Sequence, residues 1–159
     1  MFIFGQHKFI TFVSLTLTLV LTSCSGSKIS QCQRLIKVVN EGTSLIETNK
    51  GTQVKTSLQM SQDILALTKS LEQMQLTDPK LKQLQGNFVE VFRNLSQALT
   101  RASQALNTAK NAKASPSGRE KIEKARLEID STLTTSAKTA GKKSDELGNQ
   151  LNQYCSRSE

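Results

Sequence analysis

The chain has no tryptophan, a single histidine, two prolines and only 4% aromatic residues in its 159. Each shortage excludes something. The histidine is His7, near the amino terminus, so everything beyond the first two dozen residues lacks an imidazole to act as general base or zinc ligand. The Glu-x-x-His pairs of di-iron bundles are excluded on the same ground. There is no glycine-rich phosphate loop, no Cys-x-x-Cys-His haem site, no alternating Asp/Asn calcium loop and no serine in a nucleophile-elbow context. With so few aromatic rings to stack on bases, nucleic acid is not an expected partner. Neither a cofactor nor a metal is expected, and the anticipated function is non-enzymatic. Strand-type alternation is also missing, and two prolines, Pro79 and Pro116, suit long helices with few interruptions.

What is present begins with a leader. Met1 to Ser23 runs from a weakly basic start (His7, Lys8) through an apolar stretch, Phe9 to Leu21, to two small residues and Cys24, the order of a secretory signal. The apolar stretch is about a dozen residues, short of the roughly 20 that a spanning helix needs. Leu21-Thr22-Ser23-Cys24 resembles the cleavage and acylation motif of bacterial lipoprotein precursors. That resemblance implies cleavage before Cys24 by the type II signal peptidase, a diacylglycerol thioether on its sulfur and a further acyl chain, palmitate for example, on the new amino terminus. Two or three chains, at about 0.8 kcal/mol per buried CH₂, make a close to permanent anchor. Ser25, rather than Asp, after the cysteine resembles outer-membrane delivery. The expected location is the cell envelope, facing the periplasm or the exterior.

Removing the leader leaves 20 basic and 13 acidic residues, a net charge of +7. If the lipid takes Cys24, two of the three cysteines remain, Cys32 and Cys155, in an oxidising compartment where a pair is expected to close. Two free buried thiols are the alternative.

The expected organisation is a signal peptide over 1–23, a tether over 24–29 and one helical domain over 30–159. From Cys32 onward apolar residues fall at spacings of three and four. A first helix is expected from about Ser30 to Glu47, with Cys32, Leu35, Val39, Gly42 and Ile46 on one stripe and Asn49-Lys50-Gly51 ending it. A second, from about Gln53 to Gln75, carries Met60, Ile64, Leu67, Leu71 and Met74. Thr77-Asp78-Pro79 supplies a side-chain cap and a proline at the first helical position. The stripe Leu81, Leu84, Phe88, Val91, Leu95, Leu99, Ala102, Leu106 and Ala109 follows, with Phe88, Phe92 and Leu95 in the core. Ser115-Pro116 breaks this coiled-coil-like run, and Ser117 with Glu120 stands in capping-box register for a last helix. Its stripe is Ile122, Ala125, Ile129, Leu133, Ala137, Ala140, Ser144, Leu147, Leu151 and Tyr154.

Four helices with short turns predict an all-α, up-down-up-down four-helix bundle with a long C-terminal helical hairpin. An even number of passes returns both chain ends to one end of the bundle, where Cys32 and Cys155 meet. The last two helices, at about 1.5 Å per residue, reach about 50 Å and project beyond the shorter first pair. Ala137, Ala140, Gly141 and Ser144 permit either a close helix crossing or a weakly packed stretch. The carboxylates Glu120, Glu123, Glu128 and Asp130 are spaced for i to i+4 pairs with bases such as Arg119 and Lys124, in preference to acid-base chemistry. Asn94-Leu95-Ser96 matches a glycosylation sequon by chance.

The basic surplus is concentrated. Lys110, Lys113, Arg119, Lys121, Lys124 and Arg126 surround Glu120 and Glu123 at the turn of the long hairpin, as a solvated turn or as a dock for an anionic partner. Together these features predict a lipid-anchored scaffold or accessory subunit that holds a protein partner. In size, leader and architecture the chain is similar to the small lipid-anchored four-helix subunits of which the extrinsic Q-like protein of cyanobacterial photosystem II is one. A carrier of a small hydrophobic ligand is the alternative from another class.

Overall fold

A computed structural model describes residues 26–48 and 54–157, side chains excepted at 54–56 and 133. The leader, Cys24, Ser25 and the Asn49-Lys50-Gly51 break lie outside the described residues. Four helices follow one another: α1 (Lys28–Thr48), α2 (Val54–Gln73), α3 (Pro79–Lys110) and α4 (Pro116–Ser156). No strand occurs among the described residues. The fold is all-α, and its last two helices form a long hairpin.

The helices begin where local chemistry starts them. Asp78 caps α3 through a hydrogen bond from the Leu81 N–H (2.9 Å), with Pro79 in the first turn. At α4 the cap is Ser115, which accepts the Gly118 N–H (3.0 Å), and not Ser117 as the capping-box register predicts. Pro116 explains the difference: its fixed φ suits the first helical position, so the helix begins two residues earlier. Gly118 is required there, because a Cβ would overlap the Lys113 carbonyl oxygen. Helix α1 also starts early, so Lys28 and Ile29, expected in the tether, form its first turn.

The core is the set of predicted stripes brought face to face. Leu35, Ile64, Leu71, Leu81, Leu84, Phe88, Phe92 and Leu151 are completely or almost completely buried. Phe88 and Phe92 stack with centroids 6.2 Å apart. Helix α3 is the hub and packs along both α2 and α4, while α1 touches all three others. Among the described residues α2 and α4 do not meet, so they stand across a diagonal. Gly42 lets α1 sit close: a Cβ there would lie 2.6 Å from a Phe92 ring carbon and 2.9 Å from a Leu67 methyl.

Where α2 and α3 cross, the contact is polar and two-way. The Ser61 hydroxyl reaches the Ser96 carbonyl (2.9 Å), and the Ser96 hydroxyl reaches the Ser61 carbonyl (2.8 Å). The Thr100 hydroxyl lies 2.6 Å from Ser61 Oγ. This crossing sets the register. With Ser61 opposite Ser96, Val54 at the start of α2 is level with about residue 103 of α3. Beyond that level, among the described residues, α3 and α4 have only each other. The two-helix arm so formed includes about 20 Å of α4. Its seam is thin: Ala125 and Thr132 are buried, but Ile122, expected on the stripe, is 45% exposed because only α3 is present to cover it.

Candidate functional site

Two ends of the bundle carry distinctive side chains. At the end where the chain enters α1, Cys32 and Cys155 are joined by a disulfide, with Cα atoms 5.9 Å apart across 123 residues of sequence. The buried Gln31 beside it holds the α2–α3 connection. Its carbonyl oxygen accepts the Thr77 N–H (2.7 Å) and the Asp78 N–H (3.1 Å), and its amide donates to Gly26 O (2.7 Å) and Thr77 Oγ1 (2.9 Å). Gln85 donates to the Leu71 and Met74 carbonyls, and Arg34 to the Gln75 carbonyl (3.2 Å). The connection is thus secured from α1 and α3.

Asp78 joins three helices at this end. Its second carboxylate oxygen accepts the Tyr154 hydroxyl of α4 (2.8 Å), and the Lys28 ammonium of α1 sits 3.9 Å above the centre of the Tyr154 ring. Burial disfavours the charge on Asp78, but hydrogen bonds from Leu81, Tyr154 and Lys80, with the Lys28 charge, outweigh it and hold the carboxyl below its usual range. The same hydrogen bond from Tyr154 to Asp78, then burial and the nearby carboxylate, push the Tyr154 phenol up. This is a structural clamp.

The middle of α4 is open on both sides. Its small residues do not produce a close crossing: a Cβ at Gly141 or Gly148 would meet nothing within 4 Å. Ala137, predicted on the buried stripe, is exposed. Between α1 and α4 the shortfall leaves a groove of about 630 Å³, whose wall includes Val39, Ile46, Leu95, Ala140, Gly141 and Ser144. A second groove, of about 390 Å³, lies on the α3–α4 side between Glu90 and Lys143, residues that also form an ion pair at 3.6 Å.

The far end carries the predicted basic cluster. Lys110, Lys113, Arg119, Lys121, Lys124 and Arg126 are all exposed, and the fold gathers them at the end of the arm. Lys124 pairs with Glu120 (2.7 Å) and Arg126 with Asp130 (3.9 Å). Among the described residues no ion pair forms to Lys110, Lys113, Arg119 or Lys121. Glu128 accepts the Thr132 hydroxyl (3.2 Å). Among the described residues no group of three or more His, Cys, Asp or Glu is placed to hold a metal, and no helix is long and apolar enough to cross a membrane.

Of the predicted site residues, Cys32 and Cys155 meet, the six basic residues cluster, and Cys24 lies outside the described residues. Sequence reasoning missed Gln31 and the Lys28–Tyr154–Asp78 chain. The one available signal was a glutamine beside Cys32 on the inward stripe. Comparison with protein-family models, with curated proteins and with solved structures finds no match for this chain.

Proposed function

We propose that this protein is a lipid-anchored subunit of the cell envelope that acts by binding, as a scaffold or accessory, and performs no catalysis. The observation that carries this reading is the division of the molecule along its length. The chain enters at a covalently clamped base, just after the candidate acylation site, and its densest group of basic residues lies at the far end of α4, about 60 Å away. A protein anchored at the base presents that end to whatever lies beyond the membrane.

Two measurements test it. Palmitate labelling in a bacterial host is expected in the wild type and lost in Cys24→Ser; label that persists in the variant overturns the anchor. A photo-crosslinking residue at position 121 is expected to form adducts in intact cells, and the same residue at Lys69 is not. Equal capture at both positions overturns the binding role of the far end.

The groove between α1 and α4 favours a second reading, a carrier of a small hydrophobic ligand. Its volume of about 630 Å³ and its Val39, Ile46 and Leu95 surface suit a small apolar molecule. A fluorescent fatty acid displaced by filling the groove with Gly141→Leu supports the carrier, and unchanged binding removes it.

A further inference from the structure

We propose that the end of the α3–α4 arm docks on an anionic phospholipid surface. Residues 110–126 hold six basic and two acidic residues, so +4 of the mature chain's +7 is concentrated in 17 positions. One of the two acids, Glu120, is already occupied by Lys124.

The arrangement of the cations selects the kind of partner. At 100° per residue, Arg119 and Arg126 fall about 20° apart on α4, while Lys121 and Lys124 fall on the opposite side. Lys110 and Lys113 add charge from the α3 side. The charges therefore ring the arm instead of lining one face. A folded protein partner is recognised through one face with fixed pairing geometry. A ring of flexible cations, of which Lys110, Lys113, Arg119 and Lys121 form no ion pair among the described residues, instead matches a diffuse plane of negative charge met end-on. Ile122, 45% exposed within the same stretch, offers apolar contact to the headgroup and acyl boundary. If the base is acylated, as proposed above, the docked protein bridges two bilayers; that extension rests on the anchor reading, whereas the docking does not.

The test uses the mature chain, Cys24 to Glu159, carrying Cys24→Ser, so that acylation plays no part. It is sedimented with vesicles of phosphatidylcholine alone and of phosphatidylcholine mixed with phosphatidylglycerol. Binding to the mixed vesicles is expected to exceed binding to the neutral ones at least tenfold and to fall with added salt. The double variant Lys113→Glu/Lys121→Glu is expected to lose it by more than tenfold, and Lys69→Glu/Lys138→Glu, with the same charge change on other exposed positions, to retain most of it. Equal loss in both variants, no preference for phosphatidylglycerol, or capture by soluble polyglutamate but not by vesicles overturns the proposal. Mass spectrometry of the wild type reports on the anchor separately. A bare Cys24 with tip binding intact ends the two-bilayer extension and leaves the docking in place.

Discussion

The two ends of the hairpin are made of the same two helices and are held together by opposite means. At the base, α3 and α4 are enclosed by α1 and α2, α4 is crosslinked to α1 by Cys32–Cys155 and joined to the cap of α3 by Tyr154–Asp78, and Gln31 of α1 holds the α2–α3 connection. In the arm they share a narrow seam around Ala125 and Thr132, and large apolar side chains such as Leu127 face water. Stability is a property of the surroundings of a helix more than of its own sequence. The base spends buried area and hydrogen bonds on a fixed geometry, while the arm keeps its surface available.

The sharpest way to break this contrast is to remove the covalent link. Reduction, or Cys32→Ser with Cys155→Ser, is expected to destabilise the protein by about 4–5 kcal/mol, the chain-entropy value for a loop of more than 100 residues. The comparison of urea midpoints with and without reductant checks this. An unchanged midpoint counts against the base as the source of stability. Next in size is Gln31→Leu, which leaves the Thr77 and Asp78 N–H groups without their acceptor and is expected to cost about 1–3 kcal/mol.

The two glycine sites make a matched pair. Gly42→Ala places a methyl against Phe92 and Leu67 and is expected to cost about 1–3 kcal/mol by overpacking. Gly141→Ala, where a Cβ meets nothing, is expected to stabilise by about 0.5–1 kcal/mol through helix propensity. Thermal midpoints of the two variants moving in the same direction would contradict the description of α4 as loosely packed.

Acid dependence sharpens the comparison further. Asp78 has a folded pKa below its unfolded value, so its contribution is present above the unfolded pKa of about 3.9 and is lost as pH falls through the folded value. Wild type and Asp78→Asn are expected to differ in urea midpoint at pH 6 and to converge toward pH 2. Tyr154 has the opposite sign: its folded pKa is raised, so its contribution is present below the unfolded value of about 10 and is lost as pH rises through the folded one. The smallest effect belongs to the arm, where Lys121→Glu is expected to change stability by no more than about 0.5 kcal/mol.

Much of the fold was legible because it rests on periodicity. The stripe from Leu81 to Ala102 is buried as its spacing predicts, and Asp78-Pro79 marks the start of α3. The same periodicity misleads in α4. Ala137 and Ile122 stand at inward positions, but period alone does not say whether a neighbouring helix is there to cover them, and at those levels the cover is incomplete. Small residues are ambiguous for a related reason. Gly42 produces a close crossing and Gly141 a groove, although both sit among helical neighbours of similar polarity. The clamp was the least legible part, since Gln31 and Tyr154 act through partners 46 and 76 residues away in sequence. The six basic residues of the arm needed no long-range information, because their turn brings them together locally.

The bond between Cys32 and Cys155 also decides how the molecule carries mechanical load. Tension applied between the entry to α1 and the end of α4 passes directly through sulfur, so the intervening 122 residues are bypassed and stay slack. Tension between the entry and the arm also passes through sulfur, from Cys32 to Cys155, and then runs along α4 alone, so α1 and α2 are shielded from that load too.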